Sequence, residues 1–205
     1  MATLGPSRVF VDSNVLYSRT LRDWLCLLTL ANDRPHFLIC WSEDVLAEVI
    51  YHLRRKHPQW SGRRIQKIRD SIVGALEGGL VHEFDVDETF DGRDPHDAHV
   101  HAAASACGAE YLLTMNLRDF AIADTRYEVI DPDSFFMLIH DSAPALVASV
   151  TREQMSYWAR VRDEAMLPEY LERAECPQFA QVVRRVQAHI GGVPYIPTRL
   201  IEEKA

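Results

Sequence analysis

Short apolar runs of β character take turns with stretches of helical spacing from residue 8 to residue 130, and few folds accept such an order. The β-like runs fall at residues 8–11, 36–40, 80–84, 111–113 and 127–130, each bounded by turn-forming residues. Helical spacing fills 14–30, 42–56 with Ser42 as its N-cap, and 62–76, which Gly78-Gly79 closes. A fourth helix opens at Asp94-Pro95, carries "DAHVHAAASAC" and closes at Gly108, and a short one is expected after "TMNLRDF". Strand and helix in alternation mean crossover connections, so the expectation is an α/β fold, a doubly wound parallel sheet flanked by helices. It is expected to occupy residues 7–141. After Ile139-His140-Asp141 the alternation stops. Thr151-Arg-Glu-Gln154 reads as a capping box before one helix, and "FAQVVRRVQAHI" from Phe179 as another, so residues 142–205 are expected to form a helical C-terminal extension.

Composition narrows the class further. Apolar residues make up 47% and charged residues 25% of the 205, values of a folded globular chain rather than a disordered one. No run of apolar residues is long enough for a membrane span and no leader-like start is present, so the expected location is the cytoplasm, with no membrane partner. Cys26, Cys40, Cys107 and Cys176 lack any C-x-x-C spacing and read as buried thiols. The net charge of −8 conceals two opposed strips. Residues 49–69 contain no acid but hold Arg54, Arg55, Lys56, Arg63, Arg64, Lys67 and Arg69 around Trp60, whereas 83–97 carry seven acids against Arg93 alone. All the cations but Lys56, Lys67 and Lys204 are arginine, whose planar fork matches phosphate. Arg54, Arg55, Arg63 and Arg64 are therefore candidate contacts for a nucleic-acid backbone, the alternative being a plain solvated surface.

The chemistry rests on carboxylates placed where such sheets bind ligands, outside the carboxyl ends of the strands. Asp12 ends the first run; Thr114, Asn116 and Asp119 follow the fourth; Asp94 and Asp97 open the alanine-rich helix; Glu48 lies on the flank of the second helix. Each has a plainer explanation alone: Asp12 as an N-cap, Asp94 and Asp97 as a cap and capping box around Pro95, Glu48 as an exposed helical acid, Asp119 as a cap. Together they would repel one another unless a cation stood between them, and an all-oxygen set suits Mg²⁺ or Mn²⁺. Such an ion beside an arginine-rich strip is what hydrolysis of a phosphodiester requires.

"RVFVDSNVLYS", Glu48, "DPHDAHVHAAASACGAEYLLTMNLRDF" and the alternation together resemble a PIN domain, especially the VapC-type ribonuclease toxins of bacterial toxin–antitoxin pairs. The resemblance implies a Mg²⁺- or Mn²⁺-dependent endoribonuclease with Asp12, Glu48, Asp97 and Asp119 as catalytic, metal-binding acids and Asp94 as an accessory. Where the family carries an acid soon after its threonine this chain has Asn116, so either Asn116 or Asp119 completes the set. Asn14 and Thr114 are implied to orient the acids. The same resemblance implies RNA as substrate, transfer RNA foremost, a cognate antitoxin as partner, and a homodimer.

Three other readings differ in testable residues. A phosphohydrolase using Asp12 as nucleophile needs a second acid two positions on, where Asn14 stands, and a suitably placed lysine. A zinc site would draw on Asp97 and His101, one helical turn apart. A catalytically inactive PIN module would bind RNA or a protein without cutting, and such a module commonly lacks one of the acids that this chain retains.

Overall fold

The computed structural model describes residues 6–31, 37–86, 90–120, 125–161 and 167–190. Four parallel strands form one sheet in the order β2-β1-β3-β4: β1 Ser7–Val11, β2 Phe37–Cys40, β3 Tyr111–Leu113 and β4 Glu128–Ile130. Val9, Phe10, Val11, Leu112 and Leu113 are fully buried, as central strands covered on both faces must be. The expected α/β fold, a parallel sheet flanked by helices with a helical C-terminal part, is thus the fold observed.

The helices that follow the first two strands position the site. α1 (Ser13–Tyr17) and α2 (Arg19–Leu30) occupy the stretch expected as one helix. The chain breaks at Ser18, whose extended backbone (φ −67°, ψ 115°) lets its hydroxyl accept from Leu21 N and cap α2. α3 (Glu43–Lys56) starts at Ser42, whose Oγ accepts from Val45 N at 3.3 Å, and presents Val45, Leu46, Val49 and Leu53 to the core. α4 (Gly62–Ala75) is capped by Ser61.

The strand expected at residues 80–84 does not form. Residue Leu80 makes a single parallel bridge to Trp41, through Trp41 N to Gly79 O (3.0 Å) and Val81 N to Trp41 O (2.8 Å), and no ladder continues. Gly79 is required there, since a Cβ would stand 1.8 Å from Ile39 O, a backbone atom with no room to move.

Farther along, a 3₁₀ turn over Pro95–Asp97 leads into α5 (Ala98–Ala106). Turns run through 117–120, and the short helix expected after Phe120 falls on 121–124, which lie outside the described residues. α6 (Pro132–Ser142), absent from the sequence expectation, is opened by Asp131 and Pro132, the same Asp-Pro start as at residue 94.

The C-terminal part comprises α7 (Pro144–Val161), α8 (Leu167–Arg173) and α9 (Pro177–Ile190). The capping box expected at Thr151 is not one. α7 is already running there because Val147 and Val150 keep the apolar face in register, and the buried Thr151 hydroxyl bonds back to Val147 O at 2.8 Å. Gln154 accepts from Trp158 Nε1 instead of reaching a helix start.

These helices share the core with the sheet layer. Phe179 meets Trp24 edge-on (5.0 Å between ring centroids) and Phe136 at 4.9 Å, and Asp133 of α6 accepts from Gln178 N and Phe179 N at the start of α9. No single helix among the described residues is long and apolar enough to cross a membrane. The pair Pro132–Ser142 and Pro144–Arg160 passes only jointly, across a 116° bend, and buries Phe135, Phe136, Ile139, Val147 and Val150 within the protein. All four cysteines are free thiols; Cys40 and Cys176 are buried, Cys26 and Cys107 half-buried.

Candidate active site

The strand order reverses between β1 and β3, and it is in the crevice outside the carboxyl ends of the strands at such a point that open α/β sheets bind ligands. Asp12 leaves β1 there, its amide still bonded to Leu113 O (3.0 Å), and Thr114 leaves β3 with its amide on Ile130 O (3.0 Å). Asp12 is 5% exposed and Thr114 fully buried. Although Asp12 occupies the N-cap position of α1, its side chain makes no cap hydrogen bond. Its Oδ2 instead accepts from Thr114 Oγ1 at 2.6 Å and from Asn14 Nδ2 at 2.7 Å. Asn14 also reaches Thr114 Oγ1 (3.0 Å) and accepts from Met115 N (3.1 Å), so one amide ties the two strand-end loops together. Burial raises the Asp12 pKa, opposed by the Thr114 hydrogen bond, and none of the ion pairs among the described residues includes it.

The other acids arrive from three elements. Asp97 ends the 3₁₀ turn, again without a capping bond, while Asp94 alone does the capping through His96 N (3.0 Å). The Asp97 carboxyl is pushed up to about 6, first by burial and then by the charges of Asp12, Asp94, Asp119 and Glu48. The structure therefore brings Asp12, Asp94, Asp119 and Glu48 within electrostatic reach of Asp97. Asn116 Nδ2 donates to Asp119 Oδ2, so those two act as one unit, and Asn116 N is held on Thr114 Oγ1 at 3.0 Å. Gly92 packs so closely on the Asp119 carbonyl that a Cβ would stand 2.5 Å from it.

Glu48 has a partner that sequence reasoning missed. Its Oε1 is 3.0 Å from His99 Nε2, the ring N–H donating to the carboxylate. The contact holds the Glu48 pKa below its ordinary value and raises that of His99, in each case against burial. No local pattern links residues 48 and 99, which meet because α3 and α5 converge on the same crevice. His101, the candidate zinc ligand, instead bonds through Nδ1 to Tyr127 Oη at 2.7 Å.

The donor set is oxygen from aspartate, glutamate and asparagine, and its mutual repulsion suits a hard divalent cation. Among the described residues no three His, Cys, Asp or Glu side chains already stand together as ligands for a single ion.

The basic residues divide. Arg54 Nη1 donates to Trp60 O at 2.7 Å, and the Arg64 guanidinium lies 3.7 Å over the Trp60 ring, whose other face is stacked on His57 at 3.8 Å. Two of the four candidate arginines thus brace the α3–α4 connection. Arg63 is exposed on the first turn of α4, and Arg55 lines a cleft beside Asn14. Within the acidic strip, Asp87 and Glu88 lie outside the described residues.

The raised Asp97 pKa has a sign that can be checked. The folded state holds this proton more tightly than the unfolded chain, so the Asp97 contribution to stability is full below pH 3.8 and is lost as pH rises through about 6. In chelator, Asp97→Asn should remove that loss: denaturant midpoints of parent and variant are expected to diverge between pH 4 and pH 6.5, the variant gaining. Parallel curves would place Asp97 outside the field of the other acids.

A family model described as PIN domain matches residues 8–118, more than half of the chain. No curated protein and no solved structure matches it.

Proposed function

The chain belongs to the PIN domain family, and from that premise we propose that it is a metal-dependent endoribonuclease, the toxin of a bacterial toxin–antitoxin pair, acting on structured RNA such as transfer RNA. The family supports nuclease activity in general. The observation that carries the finer reading is Asp12. A buried carboxylate at the carboxyl edge of the central strands, uncapped, outside every ion pair among the described residues and fixed by two side-chain donors, is costly unless it has a cationic ligand to serve.

In this reading Asp12, Asp97, Asp119 and Glu48 would hold Mg²⁺ or Mn²⁺, with Asn116 and Asp94 at its margin. When bound, the ion supplies an activated water and neutralises charge on the phosphoryl oxygens. The chain's own residues do the rest. Thr114 and Asn14 aim Asp12 by holding its Oδ2. Asn116 holds Asp119 at the rim. Asp97, half-buried and titrating near 6, is charged at neutral pH yet able to take up a proton at its carboxylate. His99 shares its Nε2 proton with Glu48 and so fixes where that carboxylate waits. A cognate antitoxin covering the acidic crevice and a homodimer complete the toxin reading.

The test is incubation of the purified chain with total RNA and with transfer RNA in Mn²⁺ or Mg²⁺, beside a chelator control. Discrete fragments that require the metal are expected, along with growth arrest when the chain is expressed without a partner. RNA left intact by a folded sample in every metal would instead favour a PIN module that binds without cutting.

A further inference from the structure

Cys40 and Cys107 are distant in the chain and meet on one face of the sheet. Cys40 ends β2 and pairs with Phe10 of β1. Arg8 projects from the same face of β1 as Phe10, and its Nη1 donates to Cys107 O at 2.7 Å. Cys107, the C-cap of α5, is thereby held over the strand pair that carries Cys40, and the Cys40 thiol donates a hydrogen bond to the Cys107 sulfur. We propose that these two thiols are an oxidisable pair, closed by a hydroperoxide into a Cys40–Cys107 disulfide and reopened by a thiol reductant. The pair lies outside the acidic crevice, so the proposal stands whether or not the crevice cuts RNA.

Three features set the pair apart from ordinary core cysteines. The first is contact. Neither sulfur has a strong partner elsewhere: Cys40 Sγ stands 3.9 Å from Leu38 O and Cys107 Sγ 3.3 Å from Ala104 O, long contacts of weak donors. Two sulfurs already in hydrogen-bond contact need only close to the ~2.05 Å of an S–S bond.

The second is a division of roles. Cys40 is 3% exposed, whereas Cys107 is half-buried, so an oxidant meets Cys107 first. The hydrogen bond from Cys40 holds the Cys107 thiol below its usual range against burial, and the charge of Arg8 assists. The same bond, and burial after it, pushes the Cys40 thiol up. Cys107 is therefore the nucleophile and Cys40 the resolving thiol. Burial is the main influence on Cys26 and Cys176, and it raises both.

The third is room to adjust. Cys107 closes α5 just before the chain turns through Gly108 at φ 63°, and helix ends yield more readily than helix interiors. Cys40 belongs to β2, the first strand in the sheet order, with β1 as its ladder partner.

The chemistry needs no group beyond the peroxide. The Cys107 thiolate attacks the O–O bond of ROOH, which leaves a sulfenic acid on Cys107 and releases ROH once the departing oxygen takes up a proton. Cys40 then attacks the Cys107 sulfur; the S–S bond forms, the S–O bond breaks and water leaves. The two thiols give up two electrons and two protons, and the peroxide is reduced to ROH and water. The resulting cross-link joins two elements that serve the crevice. β2 runs through Trp41 and Ser42 into α3, which carries Glu48, and α5 carries His99 just after Asp97.

The test uses the reduced full chain, freed of reductant, treated with hydrogen peroxide, alkylated with N-ethylmaleimide and read by intact and peptide mass. Two of the four thiols are expected to escape alkylation, in one cross-linked peptide pair holding Cys40 and Cys107. Before alkylation the chain should be lighter by about 2 Da, and dithiothreitol should restore the reduced mass. Without peroxide, iodoacetamide should modify Cys107 at least about tenfold faster than Cys26 or Cys176. Cys40→Ser should leave a Cys107 sulfenic acid that dimedone traps, and the double variant Cys26→Ser, Cys176→Ser should keep the cross-link.

The peptide map of the parent is read without any variant, so a substitution that harms folding leaves the result intact. Four thiols still open to alkylation after peroxide, cross-links that involve Cys26, Cys176 or a second chain, or a Cys107 no faster than Cys26 would each overturn the proposal.

Discussion

Replacing Asp12 by asparagine is expected to lower metal-dependent RNA cleavage by at least about 10²-fold while leaving thermal stability equal to the parent's or higher. Both parts follow from one geometry. The amide is the same size and its oxygen can still accept from Thr114 Oγ1 and Asn14 Nδ2, while its NH₂ gives up the hydrogen bonds that the carboxylate takes from Ser13. What disappears is a charge that burial disfavours, as the raised pKa records. A residue kept for folding should be missed when its charge is removed; one kept for chemistry should be missed only in the reaction. Cleavage rates beside thermal melts separate the cases, and cleavage within a few-fold of the parent would remove Asp12 from the chemistry.

The second large effect lies in the C-terminal helices. Phe179→Ala is expected to cost about 3–5 kcal/mol, because the ring is fully buried and its space cannot collapse between Trp24 and Phe136. For a chain of this size that is a fall in Tm of roughly 6–20 °C. The shift should come as one cooperative transition, because the C-terminal helices and the sheet layer share a single set of buried side chains. Calorimetry showing two transitions, only the smaller of them moved, would instead make 142–205 an independent unit.

Much of the scaffold was legible because its signals are local. Ser42 and the Asp94-Pro95 start each stand at the opening of a helical pattern, and the apolar cores of β1 and β3 announce buried parallel strands. The placement of Asp12 and Thr114 at neighbouring strand ends follows from the same reasoning.

What escaped the sequence depends on partners far along the chain or on a single backbone angle. Residues 80–84 have strand composition but find only Trp41 to pair with. The break at Ser18 is one extended residue inside an otherwise continuous helical pattern. Thr151 and Gln154 have the letters of a capping box, yet the apolar face beneath them had already set the helix running. The bond between Glu48 and His99 spans 51 residues and is invisible to any local period.

The Asp133 carboxylate, only 5% exposed, answers two backbone amides that belong to a helix beginning more than forty residues later. A chain stopped before residue 177 would therefore lose more than length. It would strip that carboxylate of both amide donors and leave bare indole and phenyl surface at Trp24 and Phe136. The helix at 177–190 is in this sense a keystone set from outside, closing a core that the earlier elements leave open.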